Sequence, residues 1–387
     1  MIGKDRIEGD LISINKKLRP LSWFYGFGVG FRNLLFEMGI LKSHSYSVPV
    51  ISVGNITVGG TGKTPHVEYL IRLLKDVTNV AVLSRGYKRK SHGFVLADAE
   101  TPMRMIGDEP YQMKQKFPDI TVAVDGKRTR GIDRLISGEA GKEMDVILLV
   151  DYHRLIIYDE LLPSGCLREP VKSKDRADIV IITKCPKDLK PMEFRVITKA
   201  MKLYPYQQLF FSTHEYEAPQ PVFNDNSGSL GDSGDPSPLA VLADKNILLL
   251  TGIGSPEQMK SDMLAITPKV TPLTFSDHHN FKRKDVDAIN EAFAALPEPK
   301  VIITTEKDAT RLAVLEGLSD EVRQHLYKVP IRIQIMQNQE DDFNKKIIDY
   351  VRKNSRNSIL AKSKDNHKSK DSDHSGDRPR TISFRNN

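Results

Sequence analysis

The distribution of apolar residues along the chain changes character three times. Residues 1–17 are mostly polar and read as a short helix. LRPLSWFYGFGVGFRNLLFEMGILK follows, in which Phe24, Phe27, Phe31, Leu35 and Met38 recur at intervals of three and four. That spacing predicts one apolar stripe on a helix. Trp23, the only tryptophan, stands near its start, and Lys16, Lys17, Arg19, Arg32 and Lys42 flank or face it.

From Val48 onward, continuous apolar runs alternate with helical patterns. VPVISVG, NVAVLSRG, ITVAVD, MDVILLVD and ADIVIITKCP read as buried strands, with helices in HVEYLIRLLKD, DEPYQMKQKF and the stretch from Arg130 to Gly138. Such alternation predicts a parallel sheet covered on both faces. YQQLFFSTHEYEAPQPVF reads as extended connecting strands, and DNSGSLGDSGDPSP as a surface loop. A second β/α series runs through NILLLTGIGS, KVTPLTFSDHH, DVDAINEAFAAL, KVIITTEKDATRL and VPIRIQI, closed by a helix from Asp342 to Lys353. The expected fold class is therefore α/β, with two α/β/α sandwiches joined by a strand linker. The expected units are an amphipathic segment at 1–45, a first domain at 46–205, linker and loop at 206–240 and a second domain at 241–353. The polar stretch at 354–387 is expected to be disordered.

The 387 residues suffice for two sizeable cores. A formal net charge of +7 suits a phosphate-bearing partner without choosing among nucleotide, nucleic acid and anionic lipid. The basic residues are not interleaved with aromatics as base-stacking platforms require, so no nucleic-acid partner is expected. Cys166 and Cys185, the only cysteines, cannot build a disulfide framework or a metal site. They fit a reducing compartment, or are incidental small apolar residues. The N-terminus lacks the apolar core of a signal peptide, and no run is apolar enough to span a bilayer.

The strongest chemical signal is Thr57-Val58-Gly59-Gly60-Thr61-Gly62-Lys63-Thr64, set between a predicted strand and a predicted helix. This is the setting of a P-loop, whose glycines let backbone N–H groups converge on phosphate oxygens. Lys63 is expected to reach the β- and γ-phosphates of ATP, and the Thr64 hydroxyl to hold Mg²⁺. The strict pattern has glycine where Thr57 stands. Pro65 suits a first helical turn. The plain alternative is a glycine-rich turn with a chance GKT.

SVGNITVGGTGKTP, followed by VLSRGYKRK, GDEPYQMK, LREP, a late DHH and TTEKDATR, resembles the tetraacyldisaccharide 4'-kinases, the lipid A 4'-kinases. The likeness runs from about Lys17 to Lys353, in the manner of versions from Bacteroides-like bacteria. It implies a P-loop first domain, a second α/β/α domain and an active site in the cleft between them. It also implies transfer of the ATP γ-phosphate to the 4'-hydroxyl of a tetraacyldisaccharide 1-phosphate, a lipid A precursor. The amphipathic segment would then lie on anionic lipid at the cytoplasmic face of a bacterial inner membrane, the protein being peripheral and monomeric. By the resemblance, Asp108 of GDEP is the catalytic carboxylate and His278 of SDHH the histidine that pairs with it. A carboxylate oriented by imidazole can accept the proton of a sugar hydroxyl. Read without the family, Asp108 is equally an N-cap, and His278 with His279 an ordinary loop pair. Arg128 and Arg168 stand where active-site arginines of the family are expected, while Arg85 is as readily a surface ion pair.

One departure bears on activity. The family carries a strand ending in Asp-Asp-x-x-Gln-His-Arg, followed by a second strand ending in Val-Asp-Tyr-His-Arg. Here MDVILLVDYHRLIIYDE runs from the first straight into the end of the second. Asp151 then either imitates the lost metal-binding aspartate or keeps its own place with the pair gone. Two expectations follow: a working lipid kinase, or an ATP-binding module of the same family impaired in transfer.

Overall fold

The computed structural model describes residues 12–42, 46, 48–136, 144–223, 230, 237–254, 256–277, 279 and 281–368, the side chains of 144–146 and 355–368 excepted. A 3-10 turn, Lys16–Leu18, is capped by the Asn15 side chain and leads into helix α1, Arg19–Glu37, with Pro20 in its first turn. Strands and helices then alternate. They are β1 Val50–Gly54, α2 Lys63–Leu74, β2 Ala81–Ser84, β3 Val95–Ala97, α3 Asp108–Lys116, β4 Thr121–Val124, α4 Arg128–Ile136, β5 Met144–Asp151, β6 Ile179–Thr183, α5 Pro191–Met201 and β7 Gln208–Tyr216. The chain crosses to a second unit through β8, Gln220–Pro221. There it forms β9 Asn246–Thr251, α6 Glu257–Ile266, β10 Val270–Thr274, α7 Arg283–Ala294, β11 Lys300–Thr305, α8 Glu306–Leu312, α9 Asp320–His325 and β12 Leu326–Val329. It returns in β13 Ile331–Ile335 and ends the described part in α10, Glu340–Lys368.

Three sheets result, ordered β1-β5-β6-β7-β13, β10-β9-β11-β12-β8 and β2-β4-β3. In the first, β1, β5, β6 and β7 are parallel and β13 is antiparallel to β7. Its IVIIT strand is wholly buried, as expected of apolar runs in a sheet covered on both sides. One face packs on α2 and α10 through Tyr69, Leu70, Phe343 and Ile347, the other on α5 through Phe194, Ile197 and Met201. In the second unit α7 and α9 cover one face and α6 the other.

The assignment of the last elements differs from the sequence expectation. β13 and α10 belong to the first unit, because β13 pairs with β7 and Phe343, Ile347 and Val351 of α10 enter that core. The linker is also narrower than 206–240, since β7 is a member of the first sheet. What crosses is a two-stranded ribbon in which β8 runs antiparallel to β12, and the Glu217 N–H bonds the Pro330 carbonyl at 2.9 Å. The backbone of α10 stays helical past Lys353, where disorder is expected. Lysines, arginine and Ala361 are adequate helix formers even without a packed face. Residues 369–387 and 1–11 lie outside the described residues.

β1 and β2 are end strands of their sheets, so among the described residues each leaves one edge unpaired. All five residues of β1 are only half-buried, in contrast to β6.

Helix α1 docks in an inverted sense. Ser22, Gly26, Val29 and Asn33 face the body, whereas Trp23, Phe24, Phe27 and Phe31 are exposed. Of the predicted stripe only Leu35 is half-buried. The Ser22 hydroxyl donates to the Leu161 carbonyl at 2.9 Å and accepts the Ser164 N–H at 2.9 Å. A Cβ on Gly26 would stand 2.9 Å from a Leu161 methyl, so a larger residue here would push that side chain aside. Tyr25 donates to the Arg168 carbonyl at 2.9 Å, and Arg19 pairs with Glu160. The segment 160–168 in turn holds the P-loop, through Val58 N–H to Cys166 O at 2.8 Å and Arg168 N–H to Ile56 O at 2.7 Å.

Candidate active site

The loop joining β1 to α2 has the backbone of a phosphate cradle. Gly59 lies at φ +105° and Gly62 at φ +77°, both in the region open to glycine, and Gly62 caps α2. The Asn55 amide donates to the Thr57 carbonyl at 3.1 Å and stiffens the entry. Thr57 and Val58 strap the loop to 166–167 and stay outside the cleft, whereas Gly60, Thr61, Gly62, Lys63 and Thr64 line it. The Thr183 hydroxyl donates to the Thr61 carbonyl at 3.1 Å. Thr61 is 1% exposed, and its own hydroxyl oxygen has no partner among the described residues. An orphaned buried hydroxyl in such a loop fits a ligand oxygen.

The cleft holds about 650 Å³ between the two units. Lys63 donates to Asn55 at 3.2 Å. Burial lowers its ammonium pKa, Glu109 opposes that shift, and the charges of Arg168 and Lys184 deepen it. Cations crowded at a glycine-rich loop lose this mutual cost when a polyphosphate arrives. Lys184 and Glu109 are site residues that sequence reasoning missed. Lys184, at φ +57°, follows β6 with no motif to mark it.

Asp151 ends β5 at 1% exposure. Its carboxylate accepts Lys184 Nζ at 2.7 Å and the His153 N–H at 3.0 Å, with Arg154 at 4.0 Å. The Lys184 ammonium is the present counter-charge of Asp151, and a divalent cation there would have to displace it. Among the described residues no three His, Cys, Asp or Glu side chains could hold one. Thr64, at the cleft, keeps a hydroxyl suited to a metal carried by the nucleotide.

Asp108 opens α3, and its Oδ2 accepts two N–H groups of Arg311 from α8 of the other unit, the Nε bond being 2.8 Å. Arg311 also reaches the fully buried Asp308 at 3.3 Å. The expected partner of Asp108, His278, lies outside the described residues. Its neighbour Asp277 lines the cleft and accepts Lys307 at 3.0 Å. His279 stacks on Phe275 and bonds Asp285, the carboxylate that caps α7. A second ionic contact joins the units, with Lys116 between Glu68 at 2.7 Å and Glu306 at 2.6 Å. Burial and then Glu306 push the Glu68 carboxyl up, against the pull of Lys116. Burial would lower Lys116, but the two carboxylates outweigh it and raise it. Arg168 is close enough to Lys63 to depress its pKa, and Arg128 starts α4, exposed and beside Arg85; neither of them, nor Asp108, is among the residues that line the cleft.

A sequence model of the LpxK family, described as tetraacyldisaccharide-1-P 4'-kinase, matches residues 14–149 and 141–352. The two matches share residues 141–149, as if one strand served for two. A tetraacyldisaccharide 4'-kinase of Phocaeicola vulgatus is 52% identical over 371 positions, covering 91% of this chain and 99% of its own. Since 91% of 387 residues is about 352, roughly nineteen of those positions face a gap in this chain. The Bacteroides thetaiotaomicron protein of the same name is 49% identical, with 92% and 99% covered. A crystal structure of LpxK from Aquifex aeolicus in complex with ATP superposes with a TM-score of 0.62 at 26% identity, covering 87% of this chain and 98% of that one. The cradle, the cleft and these likenesses along most of the sequence agree, and the chain belongs to the tetraacyldisaccharide-1-P 4'-kinase family.

Proposed function

We propose that this protein transfers the γ-phosphate of ATP to the 4'-hydroxyl of a tetraacyldisaccharide 1-phosphate, a lipid A precursor. The observation that carries the reading is the Gly60–Thr64 cradle, with Lys63 and the orphaned Thr61 hydroxyl, opening on a cleft between two α/β units. Lys63 and the loop amides hold the β- and γ-phosphates. Asp108 takes the proton of the attacking hydroxyl as its oxygen bonds to phosphorus and ADP departs. Arg311 fixes Asp108 Oδ2 in the meantime. Mg²⁺ on the triphosphate would neutralise charge developing on the transferred group, with Thr64 the described residue whose hydroxyl fits it. His278 is the expected orienting partner of Asp108, and Arg168 flanks the phosphates.

No described helix is long and apolar enough to cross a membrane. The outward aromatic face of α1 supports a peripheral seat on anionic lipid at the cytoplasmic face of the inner membrane, the protein acting as a monomer. The test is transfer of label from γ-labelled ATP to the disaccharide lipid, with Lys63→Ala alongside. Loss of ATP binding and transfer in the variant is expected, and unchanged affinity would overturn the assignment.

The shortfall against the relatives and the open edge of β1 favour a second reading. In it, the chain binds ATP but transfers phosphate weakly. Full nucleotide affinity with little labelled lipid would select this outcome.

A further inference from the structure

Beneath the P-loop sits a buried imidazole that the transfer chemistry does not use. His66, in the first turn of α2, is 5% exposed. Its Nδ1 lies 2.7 Å from the Gly62 carbonyl oxygen, and its Nε2 lies 2.9 Å from Ser212 Oγ. A carbonyl oxygen only accepts, so Nδ1 carries the proton. Nε2 then presents a lone pair, and the Ser212 hydroxyl donates to it. Ser212 is fully buried in β7, and its carbonyl also accepts the Cys185 N–H at 3.0 Å. The imidazole therefore ties the last glycine of the loop to the middle of the first sheet.

The peptide plane gives this tie a direction. Gly62 C=O and Lys63 N–H share one trans peptide and point to opposite sides of it. A carbonyl held inward against His66 turns the Lys63 N–H outward, toward the cleft that Lys63 lines. The same oxygen also accepts the His66 backbone N–H at 3.3 Å, a long first helical bond, so the imidazole at 2.7 Å is the closer of its two holds on a glycine at φ +77°. We propose that His66 is the positioning residue of the nucleotide site, holding the Gly62–Lys63 peptide in its phosphate-facing orientation while Ser212 anchors the ring. The inference rests on the ATP reading of the P-loop and adds to it a residue outside the phosphate-binding motif.

Three full-length variants separate this role from plain packing. His66→Asn keeps an N–H donor near the Nδ1 position. His66→Gln keeps a polar atom near Nε2 but loses the donor to Gly62. Lys63→Ala is the benchmark. MgATP affinity is measured by titration calorimetry and unfolding temperature by calorimetric scanning. The expected result is about tenfold weaker ATP binding in His66→Gln, the worth of one buried hydrogen bond. His66→Asn should stay within about threefold of the parent, while both variants lose similar thermal stability. Should His66→Gln not fold, Ser212→Ala takes its place and should weaken ATP binding by releasing the ring. If Lys63→Ala weakens binding but His66→Gln does not, or if both His66 variants weaken it in step with their stability, the positioning role is overturned. If Lys63→Ala itself binds ATP like the parent, the P-loop reading falls and takes this inference with it.

Discussion

Replacing Phe24, Phe27 and Phe31 by aspartate should abolish membrane attachment without unfolding the protein. These rings are 79%, 77% and 54% exposed, so little core is lost with them. An aromatic side chain can bury roughly 150–250 Å², so the three hold on the order of 400 Å² in water. At about 25 cal/mol per Å² their full withdrawal would be worth ~10 kcal/mol. A helix lying in the interface withdraws one face only, which leaves about 5 kcal/mol, or three to four orders of magnitude in partitioning. Three carboxylates facing anionic lipid would add repulsion of about 1 kcal/mol each. Flotation with vesicles containing anionic lipid measures the loss, and circular dichroism with a melting curve confirms the fold. Exposed substitutions normally move stability by only ~0.5 kcal/mol, so the melting curve should barely shift. A folded triple variant that floats like the parent would show that the aromatic face has another purpose.

Inserting a strand end with the family-like double-aspartate motif between Leu149 and Val150 should raise labelled-phosphate transfer by orders of magnitude, if the two carboxylates supply a metal clamp. Equal turnover before and after insertion would refute this. Arg311→Gln should destabilise the protein by about 3–5 kcal/mol, since it leaves buried Asp308 without its guanidinium and cuts the Asp108 tie between units. Denaturant unfolding checks it, and a change below ~1 kcal/mol would place the cohesion elsewhere. His66 is held by burial at a pKa of about 4 against an ordinary 6.5, so the unfolded chain takes up the proton first. Its contribution is therefore complete above pH 6.5 and is lost as the pH falls toward 4, by ~3 kcal/mol. In His66→Asn that part of the acid sensitivity should disappear.

Local patterns in the sequence translated well into local structure. Val50–Gly54, Ile179–Thr183 and Asn246–Thr251 are strands because their apolar runs suit a covered parallel sheet, and GGTGKT lies where strand meets helix. What failed was long-range assignment. Nothing in VPIRIQI says that β13 returns to the first sheet, because an alternating strand fits either edge equally well. The stripe of α1 was visible, but periodicity cannot tell a face that seeks a core from one that avoids it. The small residues Ser22 and Gly26, which make the actual contact, carry little hydropathic signal. Lys184, Arg311 and His66 were missed for a related reason. Each acquires its role from a partner distant in sequence: Asp151, Asp108 and Ser212 respectively.

The segment 160–168 touches α1 on one side and the phosphate loop on the other, so a single stretch of backbone separates the aromatic helix from the phosphate loop. With α1 lying in a bilayer, that stretch acts as a fixed spacer, and phosphate transfer happens at one height above the acyl chains. An acceptor anchored by its tails can be selected by how far its hydroxyl stands from the bilayer, before any contact reads the sugar itself. Inserting one residue in the spacer would raise the reaction plane by up to ~3.3 Å, more than the length of the bond to be made. Headgroups of the wrong reach are then excluded by elevation alone.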